Sequence, residues 1–257
     1  MEKTAVQSNV TKKESSALIT LKNYINGELV APQNGAYIDN YNPAIGKVYS
    51  LIPDSDEQDV KLAVEAAHAA FPKWSNTPAE ERSKIMLRIA SLIEQNLERL
   101  ARAESIDNGK PVSLARVMDI PRAASNFHFY GTAILHYASE SHSMEDSAIN
   151  YTLRSPIGVA GCISPWNLPL YLFSWKIAPA IAAGNCVVAK PSEITPMTAF
   201  LLSELCIEAG LPKGVLNIVH GYGHKVGAAI TAHPQVPLIS FTGGTKTGAE
   251  IARTAAP

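Results

Sequence analysis

Cysteine is scarce: Cys162, Cys186 and Cys206 are the only three thiols in 257 residues, an odd number set among apolar neighbours. Without Cys-x-x-Cys spacing they offer neither a disulfide frame nor a zinc site, and they fit a reducing, cytoplasmic compartment. A surplus of either charge is also lacking, since 22 Lys and Arg face 23 Asp and Glu. A nucleic-acid partner would need a basic excess to meet the phosphate backbone, so none is expected. The richest apolar stretch, Pro165 to Val188, is broken by Asn167, Lys176, Asn185 and three prolines. A membrane span needs about twenty apolar residues, so no membrane partner is expected. Met1 to Ser16 mix Lys, Glu, Ser and Asn without the apolar core of a secretory signal, and read as a polar tail. The seven histidines show no His-Glu-x-x-His or paired Cys/His spacing, and no metal is assigned. There is no Gly-x-Ser-x-Gly elbow, and the cysteines read as small core residues, so no nucleophile is visible.

What is present is the composition of a folded chain, 46% apolar and 18% charged, long enough for one large domain or two ordinary ones. From Tyr24 to Pro53, turn signals such as Asn26-Gly27 and Asn42-Pro43 separate short apolar runs and suggest surface strands. Capping-box spacing of Ser55 with Gln58 and of Thr77 with Glu80 predicts two helix starts, with Pro78 at the first helical position of the second. Ile85, Ile89, Leu92, Ile93 and Leu100 form one stripe of a core-covering helix. A third helix is expected from about Val112 to Ala138, opened by Gly109-Lys110-Pro111 and carrying Arg116, Asp119 and Arg122. Ile149, Tyr151 and Leu153, a Ser155–Gly158 turn and Val159 to Ile163 read as a β-hairpin. Thereafter helices alternate with strands: Trp175 to Ala183, Asn185 to Lys190, Pro196 to Gly210, Val215 to His220, Lys225 to Ala232, Leu238 to Thr242, and a last helix near Thr245. Such alternation means a parallel sheet, with a boundary near Ser141.

Four segments could carry chemistry. Gly221-Tyr222-Gly223-His224-Lys225-Val226-Gly227 follows a strand and opens a helix, where backbone amides can approach a phosphate, but it has one residue more than the dinucleotide fingerprint. A tight turn without any ligand explains it equally well. Lys190-Pro191-Ser192-Glu193 stands at the carboxyl end of a strand, where open sheets bind ligands. A carboxylate there can take two ribose hydroxyls and repel a 2′-phosphate, favouring NAD over NADP; the alternative is a solvated ion pair. Phe241-Thr242-Gly243-Gly244-Thr245 forms a second small-residue turn before a helix. In Ser164-Pro165-Trp166-Asn167-Leu168-Pro169 two prolines hold an uncharged amide that could donate to a developing alkoxide, or simply bond its own backbone.

Together with Ala183-Gly184-Asn185, Gly210-Leu211-Pro212-Lys213-Gly214 and Asn217-Ile218-Val219, these motifs stand in an order and spacing that resembles the aldehyde dehydrogenase superfamily. Asp119-Ile120-Pro121-Arg122 and Leu168-Pro169-Leu170-Tyr171-Leu172 look most like its aminomuconic and hydroxymuconic semialdehyde dehydrogenase branch. The resemblance implies an α/β fold with the Rossmann-like parallel sheet of that family's cofactor domain. The expected division is a polar tail at 1–20, strands and helices at 21–140, an oligomerisation-type hairpin at 141–163, and an incomplete nucleotide-binding part at 164–257. It also implies oxidation of an aldehyde to an acid with NAD through a cysteine adduct, and homo-oligomers. Asn167 would hold the oxyanion, and Lys190 and Glu193 the adenosine ribose. Ser164 and Trp166 would line the cofactor groove, and Gly223, Gly227, Phe241, Thr242, Gly243 and Gly244 would shape its adenine and pyrophosphate site. Gly244 stands where most relatives have Ser. Arg122 would pair with a substrate carboxylate, against the alternative of a helix-surface salt bridge. The family's general-base Glu and nucleophilic Cys are not among these residues, so the chain is expected to be inactive alone, as the N-terminal part of an enzyme lacking the catalytic domain. The alternatives are a non-catalytic NAD-binding or subunit-binding module, and an α/β protein whose glycines serve turns only.

Overall fold

The computed structural model describes residues 18–145 and 147–256. Most of the expected polar tail therefore lies outside the described residues, but the last two residues of its 1–20 span, Ile19–Thr20, form a strand (β1). β1 pairs in parallel with β5 (Lys47–Pro53), which pairs antiparallel with β4 (Tyr37–Asn42). The main sheet has six strands in the order β11-β8-β9-β10-β2-β3. β2 (Asn23–Ile25) and β3 (Glu28–Val30) form an antiparallel edge. β8 (Val159–Ile163), β9 (Cys186–Lys190), β10 (Leu216–Ile218) and β11 (Leu238–Phe241) run parallel. Every residue of β8 and β9 is buried, as their unbroken apolar runs require of strands covered on both faces.

Helix α1 (Glu57–Ser75) packs on β9 and β10, α6 (Pro169–Ala182) on β8 and β9, and α7 (Met197–Ala209) on β10 and β2. Helices α2 (Ala79–Gln95) and α5 (Ile120–Ala133) pack on each other and on α6. Helix α3 (Leu97–Asn108) lies against α7, and α8 (Ala228–Ala232) and α9 (Thr245–Ala255) follow β10 and β11. Gly161 permits this closeness on the α8 side, because a Cβ there would stand 2.6 Å from Ile230 and 2.7 Å from Ile239.

The expected stripe from Ile85 to Leu100 is divided between α2 and α3, Pro78 stands just before α2, and the caps, the third helix and the hairpin also need correction. The cap of α1 is Asp56, not Ser55: its carboxylate accepts from Gln58 N–H at 2.9 Å, while Asp59 accepts from Asp56 N–H. Ser55 is buried and its hydroxyl accepts from Asn23 Nδ2 at 2.8 Å. Helix α2 begins at Ala79 without a side-chain cap, since the Thr77 hydroxyl is turned back to donate to Lys73 O at 2.9 Å. The long third helix divides into α4 (Val112–Leu114), a wide π turn at Ala115–Asp119, α5, and a short 3₁₀ turn at Ile134–His136. The wide turn delivers Ile120 N–H to Ala115 O immediately before Pro121, which has no N–H to continue the ladder. The hairpin consists of β6 (Ser141–Met144) and β7 (Ala148–Tyr151), whereas Val159–Ile163 lies inside the parallel sheet between β11 and β9. An apolar run without polar alternation needs cover on two faces, which a two-stranded ribbon cannot provide.

Candidate active site

The carboxyl ends of β8, β9, β10 and β11 point to one edge of the sheet, and the loops that leave them carry the candidate residues. The chain after β9 contains the firmest arrangement. Lys190, 2% exposed, donates from Nζ to Pro191 O at 2.9 Å and to Glu193 Oε2 at 2.8 Å. Burial lowers the Lys190 ammonium pKa, and the Glu193 charge and hydrogen bond oppose that shift. Burial alone would push the Glu193 carboxyl up, but the charge and hydrogen bond of Lys190, helped by backbone amides, outweigh it and hold the group below the usual carboxylate range. Glu193 is therefore an anion held by Lys190 at the end of β9, with part of its surface open.

The extra residue of the Gly221–Gly227 motif has a structural explanation. Gly223–Gly227 form a wide π turn leading into α8, so a five-residue turn stands where the shorter fingerprint would start a regular helix. Gly221 has φ +141° and its missing Cβ would stand 2.8 Å from Val226, whereas the space at Gly223 is open. Between this turn, α8 and α9 lies a groove of about 790 Å³, lined by Ile163, Gly223, Gly227, Lys246, Thr247 and Ile251 among others. Lys246 and Thr247 belong to the first turn of α9, whose N-cap Gly244 makes no side-chain cap bond and has open space where a Cβ would be. Free helix-terminal amides, an open glycine and a groove of this size fit a nucleotide with its phosphates.

Phe241 ends β11, and Thr242, Gly243 and Gly244 connect it to α9; Thr242 N–H donates to Ile163 O at 3.2 Å and its hydroxyl accepts from Lys176 Nζ. Phe241 through Gly244 are absent from the groove lining itself, and a Cβ on Gly243 would meet the Phe241 ring at 2.4 Å. Ser164 is buried; its N–H donates to Lys190 O at 3.1 Å and its hydroxyl finds no partner among the described residues. Trp166 and Glu193 line a second depression of about 380 Å³ with Asn108, Ile194, Thr195 and Tyr222.

Asn167 is exposed, and its carboxamide has no hydrogen-bond partner among the described residues, so it does not bond its own backbone. The loop that holds it is anchored instead through main-chain oxygens: Asn108 Nδ2 donates to Trp166 O at 2.9 Å and Lys110 Nζ to Asn167 O at 3.3 Å. Arg122 on α5 forms no salt bridge with a described residue and stacks over the ring of Tyr171, in the first turn of α6, at 5.8 Å. The structure thus groups Asn167, Ser164, Trp166, Lys190, Glu193 and Gly223 through direct or neighbouring contacts, with Arg122 on the α6 flank. Lys110, Asn108 and Lys176 were missed by sequence reasoning; Gly109-Lys110-Pro111 had suggested only a helix opening.

No described cysteine is an evident nucleophile. All three are fully buried, and burial pushes each thiol up to about 12. Among the described residues no group of three or more His, Cys, Asp or Glu is placed to hold a metal, and no helix is long and apolar enough to cross a membrane.

The model of the aldehyde dehydrogenase family matches residues 29–257. A 2-aminomuconic semialdehyde dehydrogenase from Bos taurus is 52% identical over 241 residues, covering 93% of this chain and 49% of that protein. A 2-hydroxymuconic semialdehyde dehydrogenase from Pseudomonas sp. (strain CF600) is 45% identical over 242 residues, covering 92% and 50%. An aldehyde dehydrogenase from Bacillus cereus, solved as an NAD+ complex, superposes with a TM-score of 0.90 at 38% identity, over 92% of this chain and 48% of that one. The chain therefore spans about half the length of these relatives. Its α/β sheet, its motifs and these matches agree, and the chain belongs to the aldehyde dehydrogenase family.

Proposed function

We propose that these residues bind NAD and hold the carbonyl oxygen of an aldehyde, as part of an enzyme that oxidises a semialdehyde of the muconic type to its acid. The observation that carries this reading is Glu193, an anion held by the buried Lys190 at the edge of the parallel sheet. There it can accept two hydrogen bonds from an adenosine ribose and disfavour a 2′-phosphate. The amides opening α9 suit the pyrophosphate and the groove beside α8 suits the adenine. Bound in this way, NAD supplies the hydride acceptor. Asn167 presents two neutral N–H donors to the oxygen that becomes negative when the carbonyl is attacked. Arg122, stacked on Tyr171 and without a salt-bridge partner among the described residues, can form a bidentate pair with a substrate carboxylate. The three thiols are buried, and burial pushes each up to about 12, so none of them is presented as an attacking thiolate, and we propose that this chain alone does not turn over aldehyde.

We also propose a cytoplasmic location, which the three free thiols favour, and self-association through the β6–β7 ribbon, all eight of whose strand residues are exposed. Calorimetric titration tests the cofactor assignment: NAD binds with a heat and raises the melting temperature, NADP binds more weakly, and Glu193→Gln narrows the difference. No heat and no melting shift with either nucleotide would overturn the reading and favour glycines that serve turns only.

A further inference from the structure

The candidate site is divided between two irregular segments, residues 164–168 after β8 and 191–196 after β9. For one ligand to meet both Asn167 and Glu193, these loops must keep a fixed offset, and the direct bond between them, Thr195 Oγ1 donating to Trp166 O, is long at 3.4 Å. The end of α3 reaches both. Asp107, 3% exposed, accepts the N–H of Met197 at 2.7 Å, the first residue of α7 and the one that follows the second loop. Pro196 offers α7 no side-chain cap, so Asp107 supplies it from 90 positions away. Asn40 Nδ2 at 2.8 Å and the Tyr49 hydroxyl fix the other Asp107 oxygen.

One residue on, Asn108 donates to Trp166 O in the first loop. Gly109, at φ +80°, turns the backbone, and Lys110 brings its ammonium to Asn167 O. Lys110 is itself held between Asp119 Oδ2 at 2.5 Å and Glu104 Oε1 at 3.8 Å, two carboxylates at most 1% exposed. The second Glu104 oxygen accepts the Leu170 N–H at 3.4 Å, just beyond the first loop. Ending a helix requires only partners for its last carbonyls. Side chains directed into two loops that are far apart in sequence serve another purpose.

We infer that Asp107–Lys110 is a positioning clamp that fixes the oxyanion loop relative to the ribose loop. Its catalytic meaning rests on the function proposed above, but its mechanical content does not. Trp166 is a built-in reporter, because its own carbonyl receives the Asn108 bond. Trp175→Phe leaves it beside only the buried Trp74.

In that background the anisotropy decay of Trp166 and the NAD affinity are measured for Asn108→Ala, Lys110→Met and Lys110→Arg. The local fast component of the decay roughly doubles in Asn108→Ala, reporting a freed loop on the nanosecond scale. NAD binding weakens about five-fold, the net worth of one lost hydrogen bond, while the melting temperature stays within roughly 4 °C of the parent. Lys110→Arg, which can reach the same oxygens, retains both parental values, and Lys110→Met does not. Lys110→Met leaves two buried carboxylates without a cation; if it fails to fold, Asn108→Ala decides. Unchanged Trp166 motion in Asn108→Ala, or motion that rises only with a general loss of stability, overturns the clamp. Absence of NAD binding in the parent overturns the functional reading instead, and the anisotropy still decides the clamp.

Discussion

Glu193 and Glu104 show how the same side-chain chemistry takes opposite directions in one chain. Glu193 is drawn below the usual range by Lys190 and a backbone amide, so it stays charged and available. Burial pushes Glu104 up to about 7, with the Asp119 charge adding and Lys110 opposing. As pH rises from about 4.5, the unfolded chain releases this proton first while the folded chain still holds it; Glu104 therefore subtracts stability until about pH 7 and has a constant effect above. Asp107, raised to about 6, acts with the same sign at lower pH. Melting curves across pH 5–7.5 for the parent and Glu104→Gln isolate the Glu104 share, and the variant has the shallower decline. If both decline in parallel, Glu104 is not the protonated group. Glu193 and Asn167 stand out as candidates in the sequence because each lies within a short motif at a strand end, and the structure puts both beyond strands of the parallel sheet. Lys110 and Asn108 were not, because their partners are Asn167 and Trp166, 57 and 58 positions away, and no local pattern encodes such a contact.

Secondary structure was legible where local chemistry and tertiary burial agree. The parallel strands followed from unbroken apolar runs between helices, and their order β11-β8-β9-β10 places the loops where a nucleotide site was expected. The hairpin partner was not legible, because Val159–Ile163 suits any buried strand and only its covering helices select the sheet. The caps failed for a related reason: Ser55 and Thr77 have the right spacing but bond Asn23 and Lys73 O, which leaves Asp56 to start α1. Asp56→Ala removes the carboxylate that receives Gln58 N–H and costs about 1 kcal/mol. That lowers the melting temperature by roughly 2–4 °C for a chain of this size. Ser55→Ala acts by another route, leaving Asn23 short of a buried partner, and does not alter the helix start. At the sheet, Gly161→Ala drives a methyl into Ile230 and Ile239 and costs about 1–3 kcal/mol, read as a larger drop in the same melt.

Over the whole molecule, apolar exposure is unevenly distributed. The core is continuous through the main sheet and its helices, yet Ile149 is 73% exposed, Tyr151 62% and Leu153 78%, on or just beyond one strand of a two-stranded ribbon. An isolated two-stranded hairpin is marginal in water, and an unpaired edge with apolar side chains is a template for another strand. The self-association proposed above would set a second copy of this chain on that edge, where the ribbon offers it the same unpaired groups and apolar side chains in return. Sedimentation velocity at increasing concentration therefore shows a species heavier than the 27.6 kDa chain. The double variant Ile149→Lys, Tyr151→Lys returns it to the monomer without affecting NAD binding, since the ribbon contributes no residue to either groove. If the parent sediments as a monomer at all concentrations, the ribbon does not join copies of this chain. If both proteins associate equally, the contact lies elsewhere, and the exposed Val117, Met118 and Phe129 become the next surface to alter.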